Sequence, residues 1–109
     1  MVGQVSAVLR NFEYGLEHWC PGCESMHFIN IDAPNPQRDR WEFNGDIDCP
    51  TFSPSINISY PDPDGEFPDE RCHYFITAGQ IQFCADSTHA LAGQTVPLPP
   101  LPAAFQDRC

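Results

Sequence analysis

Basic side chains are scarce in this chain: five Lys and Arg stand against fifteen Asp and Glu, for a formal charge of −10. Binding to a phosphate backbone requires Lys and Arg to displace counterions, so nucleic acid is excluded as a partner. The acidity otherwise reads as solubility and self-repulsion. Long apolar runs are missing too; none approaches the roughly 20 residues that span a bilayer, and no membrane partner is expected. The opening Met1-Val2-Gly3-Gln4-Val5 has neither the basic nor the apolar stretch of a secretory leader. A reducing, cytoplasmic compartment is therefore expected, which turns the six cysteines away from disulfides. No internal repeat is present, and no helical period is sustained.

What remains is short apolar alternation broken by turn residues. The 109 residues, 41% hydrophobic and 12% aromatic, suffice for one modest core. A domain this small gains from an additional staple, and a metal would serve. Strands are expected at 2–10, 27–32, 41–43, 55–60, 72–77 and 80–84, each by its alternation or its β-branched and aromatic content. Asn44-Gly45 and Ala78-Gly79 read as tight turns, 33–37 as a loop because of its prolines, and the Pro- and acid-rich 61–70 as an exposed loop. Residues 50–54 should be irregular. A single helical turn is expected over 86–93, capped by Asp86 or Ser87 and stopped by Gly93. The fold class is thus mainly β: a small antiparallel domain with a zinc knuckle and little helix, over residues 1–97. Residues 98–109 form a Pro-rich tail, extended and poor at sheet pairing.

Cys20-Pro21-Gly22-Cys23 is the strongest local motif, since two thiolates at this spacing supply half of a tetrahedral zinc site. The same spacing also occurs in redox pairs and ordinary turns. The remaining ligands are sought among His27, Cys72, His73 and His89. Neighbouring strand residues point to opposite faces, so Cys72 and His73 should not serve one ion in a regular strand. Cys49 and Cys84 read as small apolar fillers, His18 as exposed, and Cys109 as inert. Which of these candidates complete the site stays open on spacing alone.

Beyond this knuckle, the pattern extends through His18-Trp19-Cys20-Pro21-Gly22-Cys23, Trp41, Phe43-Asn44-Gly45, Pro50-Thr51-Phe52-Ser53-Pro54-Ser55-Ile56, Cys72-His73, Phe75-Ile76, Gly79, Ile81, Phe83 and Asp86 through Val96. Over residues 17 to 99 it resembles a family of small phage and prophage proteins of unassigned function, sometimes mislabelled as ammonia monooxygenase. A soluble chain of this size carries no membrane-embedded copper site to support that label. The family is similar in turn to a component of bacterial ubiquitination-like operons, proposed to act as an unusual serine protease that removes a ubiquitin-like modifier. The resemblance implies Ser55 as nucleophile and His73 as base. A serine hydroxyl needs an imidazole to take its proton, and the imidazole needs a third polar group to orient it; Asp86 or His89 is available. Under this reading Cys20, Cys23, Cys72 and His89 hold a structural Zn²⁺, with His27 and His73 as alternates, and His73 as the base faces away from the zinc ligands.

The leading expectation is therefore a cytoplasmic, phage-type zinc-binding Ser/His hydrolase, with Ser55, His73 and Asp86 as catalytic residues and a protein or peptide as partner. Its rival is a noncatalytic, zinc-stabilised binding module in which His73 is a metal ligand.

Overall fold

Nine short strands carry the described residues. The computed structural model describes residues 3–12, 14–31, 40–66 and 68–105. The loop expected at 33–37 and the terminal Cys109 lie outside the described residues. Strands β1 (Gly3–Gln4), β2 (Arg10–Phe12), β3 (Gly15–Cys20) and β4 (Ser25–Asn30) form one antiparallel sheet in that order. Strands β5 (Glu42–Phe43), β6 (Phe52–Tyr60), β7 (Glu70–Thr77), β8 (Gln80–Phe83) and β9 (Thr95–Pro97) form the other, also in chain order. The mainly β expectation holds, and a 3₁₀ turn at Ala103–Phe105 is the one helical element among the described residues. None of their helices is long and apolar enough to cross a membrane.

Alternation places the core. On β7, Cys72, Tyr74 and Ile76 are buried while Arg71, Phe75 and Thr77 are exposed. Their inner face meets Leu16, His18 and Cys20 of β3 and His27 and Ile29 of β4, all buried. Phe52 and Ile56 of β6 and Ile81 and Phe83 of β8 complete the cluster. The Ala78-Gly79 hairpin forms as read, with both residues in the left-handed region (φ 49° and 79°), the backbone that a two-residue hairpin turn demands. Leu98 and Leu101 are also buried, and their amides bond to Gly79 and Ala7 carbonyls at 2.9 and 2.8 Å, so the Pro-rich stretch lies across both sheets.

Four local expectations need correction. The opening strand is two strands, because the Ser6 hydroxyl accepts the Val8 and Leu9 amides and turns the chain. The first arm of the knuckle hairpin is Gly15–Cys20, a strand absent from the expected set. Its polar Glu17 and His18 hid that strand, yet both are buried, Glu17 beside the Arg10 guanidinium at 3.3 Å. Residues 52–54 belong to β6 rather than to an irregular segment, and Ser53-Pro54 is a cis peptide. Finally, 86–93 forms turns without a helix, and β9 follows it with Pro97 on the sheet edge, where a missing amide costs nothing.

Candidate functional site

Two clusters of polar side chains lie on opposite faces of β7, and one loop feeds both. Ser87 and Thr88 pin that loop to the start of β7. The Ser87 hydroxyl accepts the His73 amide at 3.0 Å and donates to the His73 carbonyl at 2.9 Å. Thr88 accepts the Arg71 amide through its hydroxyl at 3.0 Å and donates its own amide to the Arg71 carbonyl at 2.9 Å. The loop is thereby held like a further strand. Asp86 is delivered to the outer face and His89 to the inner one. Sequence reading weighed Ser87 only as a helix cap and missed this role.

On the inner face, Cys20, Cys23, Cys72 and His89 bring one ligand atom each to within 4.8 Å of one another. The Cys20 and Cys72 sulfurs are 3.8 Å apart, and Cys72 Sγ is 3.5 Å from His89 Nε2. Around a tetrahedral zinc with Zn–S of about 2.3 Å and Zn–N of about 2.0 Å, the ligand–ligand edges come to about 3.8 Å for S–S and 3.5 Å for S–N. A disulfide would need about 2.05 Å. The donor set therefore fits a tetrahedral thiophilic ion. The knuckle has the expected local bonds as well: the Cys23 amide donates to Cys20 Sγ at 3.4 Å, and the Glu24 amide to the Cys20 carbonyl at 2.8 Å.

The thiol ring is electrostatically tense by itself. The Cys72 thiol, donating to Cys20, lowers Cys20 to about 6. That same bond, with burial, pushes Cys72 up, and burial with the Cys20 charge raises Cys23. A divalent cation is what lets several thiolates coexist there. His89 is lowered by burial, and its ring packs edge-on against Phe83 at 4.5 Å. Its Nδ1 accepts the Leu91 amide at 3.2 Å. An ion on Nε2 would move the ring proton to Nδ1 and open that bond. The ring also lies over Gly22, where a Cβ would come within 2.3–2.6 Å of three ring atoms. This explains why the knuckle carries glycine.

The alternates sit elsewhere. His27 has both nitrogens engaged, Nδ1 with the Tyr74 hydroxyl at 3.0 Å and Nε2 with the Tyr60 hydroxyl at 3.2 Å. His18, expected to be exposed, is fully buried, its Nε2 2.7 Å from the Tyr74 hydroxyl. The buried β7 residue Tyr74, which the sequence did not flag as more than core, bonds one nitrogen of each ring. Cys49 is exposed rather than a buried filler, and Cys84 is half-buried. The five described cysteines are free thiols.

On the outer face, the Ser55 hydroxyl is 3.0 Å from His73 Nε2. The other nitrogen of that ring, Nδ1, is 3.1 Å from each Asp86 carboxylate oxygen. Arg71 Nη1 lies 3.6 Å from Asp86 Oδ2. A break in the β6–β7 register sets Ser55 in place: Phe52 pairs with Ile76 and Ile56 with Tyr74, so residues 53–55 face Phe75 alone. Bulges of this kind re-aim a side chain and remove amides from the ladder. Trp41 fixes the spot from the side, donating Nε1–H to the Ser55 carbonyl at 3.2 Å. The exposed Phe75 ring stacks beside His73 at 6.3 Å.

A serine, an imidazole bonded to it through one nitrogen and a carboxylate on the other nitrogen is the arrangement that activates an oxygen nucleophile. A family model described as the bacterial ubiquitination-like system serine protease (BubE) matches residues 3–84. The chain belongs to that family. Membership in the BubE family points to a protease-like role in a ubiquitination-like system. The matched span includes Cys20, Cys23, Ser55, Cys72 and His73, and stops short of Asp86 and His89. No curated protein and no solved structure matches the chain.

Proposed function

We propose that the protein is a zinc-stapled serine hydrolase that cleaves a peptide or isopeptide bond joining a ubiquitin-like modifier to its partner. The observation that carries this is the continuous contact from Ser55 Oγ through both His73 nitrogens to Asp86, at 3.0 and 3.1 Å. In the forward step Ser55 Oγ attacks the scissile carbonyl while its proton passes to His73 Nε2. Asp86 accepts the Nδ1–H and stabilises the imidazolium. The imidazolium then gives its proton to the departing amine as the C–N bond breaks. Water, deprotonated by the same nitrogen, releases the acyl group and regenerates the Ser55 hydroxyl. The Ser55 amide, in the stretch that leaves the β7 ladder, would be the donor to the oxyanion. Cys20, Cys23, Cys72 and His89 would hold the zinc, whose task would be structural, fixing the loop that presents Asp86. The setting that suits free thiols is a reducing cytoplasm, the host's if the chain is phage-encoded, and the partner is a protein or peptide.

A serine-directed fluorophosphonate tests the proposal. The wild-type chain should be labelled once, and Ser55→Ala and His73→Ala should not be, with folding and metal content unchanged in both. Absence of labelling in the wild type, or labelling that survives Ser55→Ala, would overturn it. The exposed Phe28 and Phe75 favour a second reading, a noncatalytic binding module. That reading predicts a wild type that is never labelled, and its expectation of His73 as a ligand is not met at the inner cluster, since His73 lies on the outer face.

A further inference from the structure

Cys84 has no task in the chemistry above, yet it stands across the strand from His73. The β7–β8 register pairs Tyr74 with Phe83, and the Cys84 amide donates to the His73 carbonyl at 2.8 Å. The Cys84 thiol, a ring nitrogen of His73 and a carboxylate oxygen of Asp86 all lie within 4.8 Å of one another. We propose that His73, Cys84 and Asp86 form a second metal site, on the outer face, for a thiophilic divalent ion such as zinc.

Sulfur, imidazole nitrogen and carboxylate oxygen form a donor set that zinc accepts and that hard, all-oxygen cations such as Mg²⁺ and Ca²⁺ do not favour. With three protein ligands, and with the His73 and Asp86 side chains 24% and 48% exposed, the fourth position is open to water. The site is therefore weaker than the four-ligand centre beneath it, and it fills only when free metal rises.

Its effect on chemistry follows from which nitrogen it takes, and this part rests on the hydrolase reading. Nδ1 is the ring atom that faces the Asp86 carboxylate, at 3.1 Å. An ion between them occupies Nδ1, and a neutral ring then carries its proton on Nε2. That nitrogen donates to Ser55 instead of accepting from it. The nucleophile loses its base while the fold is untouched, so free zinc is a reversible inhibitor acting through the tautomer of His73.

The test uses the full chain with its four-ligand site loaded, in a Cys49→Ser, Cys109→Ser background so that the remaining thiols do not compete. Cadmium is the probe, read by the near-ultraviolet absorbance of its thiolate bonds. A first equivalent exchanges into the four-ligand site and should bring the signal of three thiolates, a second should bring the signal of one, and Cys84→Ser should abolish only the second step. In parallel, saturating zinc should slow fluorophosphonate labelling by on the order of 10⁴-fold, the loss known for a triad imidazole held in the wrong tautomer, and Cys84→Ser or Cys84→Ala should resist it. A second step that persists unchanged in Cys84→Ser, or none up to about millimolar metal, the weak end of specific binding, overturns the assignment. If the wild type is never labelled, the hydrolase reading falls alone, because the absorbance still decides the metal site.

Discussion

Cys72 and His73 are adjacent on β7 and serve opposite faces: the Cys72 sulfur is 3.5 Å from His89, and the His73 ring is 3.1 Å from Asp86. The loop residues that answer them, Asp86 and His89, are separated only by Ser87 and Thr88, whose hydroxyls tie the loop to β7. The inner thiol cluster and the outer serine cluster thus share one strand and one loop, and displacing the loop disturbs both.

Asp86 is the part of the serine cluster that can be altered at least structural cost, because its side chain is 48% exposed. Asp86→Asn should fold normally and keep its metal while fluorophosphonate labelling slows by on the order of 10⁴-fold, since an amide opposite Nδ1 favours the wrong ring tautomer. A variant that labels within about threefold of wild type, where a triad carboxylate is worth orders of magnitude more, would remove Asp86 from the mechanism.

Gly22→Ala should act on the inner cluster through sterics alone. The added methyl meets the His89 ring at 2.3–2.6 Å, far inside van der Waals contact, so the ring must leave its place or the knuckle must shift. Metal affinity is expected to fall by at least about tenfold, the lower end of losses seen when a ligand's support is disturbed. Competition with a chelator measures it. Labelling of Ser55 should also weaken, because the displaced His89 pulls on the loop that carries Asp86. Wild-type affinity in this variant would show that His89 does not bind the metal from its present position.

Much of this arrangement was legible in the sequence because it rests on short-range rules. Period-two alternation separates Cys72 from His73, Ala78-Gly79 fixes the neighbouring hairpin, and Cys20-Pro21-Gly22-Cys23 announces two ligands. The illegible parts depend on tertiary partners. His18 and Glu17 look like surface residues until Tyr74 and Arg10 are placed beside them. Ser87 looks like a cap, since nothing local reveals that its partner is the backbone of His73. Cys84 was read as filler because its neighbour on the outer face, His73, arrives from a different strand, although Asp86 is only two residues further along the chain.

Tyr74→Phe tests the buried polar chain between the sheets. The one hydroxyl proton can be donated to only one ring, so Tyr74 donates to either His18 or His27 and accepts from the other. Removing the oxygen strands two buried ring nitrogens, and His18 Nδ1 already lacks a well-formed bond. At about 1–3 kcal/mol for each buried group left without a partner, the expected loss is about 2–6 kcal/mol in urea unfolding. A loss below about 1 kcal/mol, less than one orphaned group costs, would mean that water replaces the hydroxyl.

The same two histidines set an acid limit on stability. Burial, followed by the nearby His27, pushes His18 down to about 3, and burial, followed by His89, pushes His27 down to about 4. An unfolded histidine titrates near 6.5, so between roughly pH 6.5 and 4 the unfolded chain binds protons that the folded chain refuses. The sign is therefore fixed: the stability contributed by the neutral rings is complete above about pH 6.5 and is lost as pH falls through the window. Each ring contributes a slope approaching about 1.4 kcal/mol per pH unit. Two such slopes over two units remove about 5 kcal/mol, comparable to the whole stability of many small domains. Urea midpoints taken from about pH 7.5 down to 4.5 should stay level at first and then drop steeply below about 6.5. In parallel, the ring resonances of His18 and His27 should keep their neutral shifts to about pH 5. A flat profile through the window, or a His18 ring that titrates near 6.5, would mean that these side chains are hydrated in the folded protein and that the two sheets do not close over them.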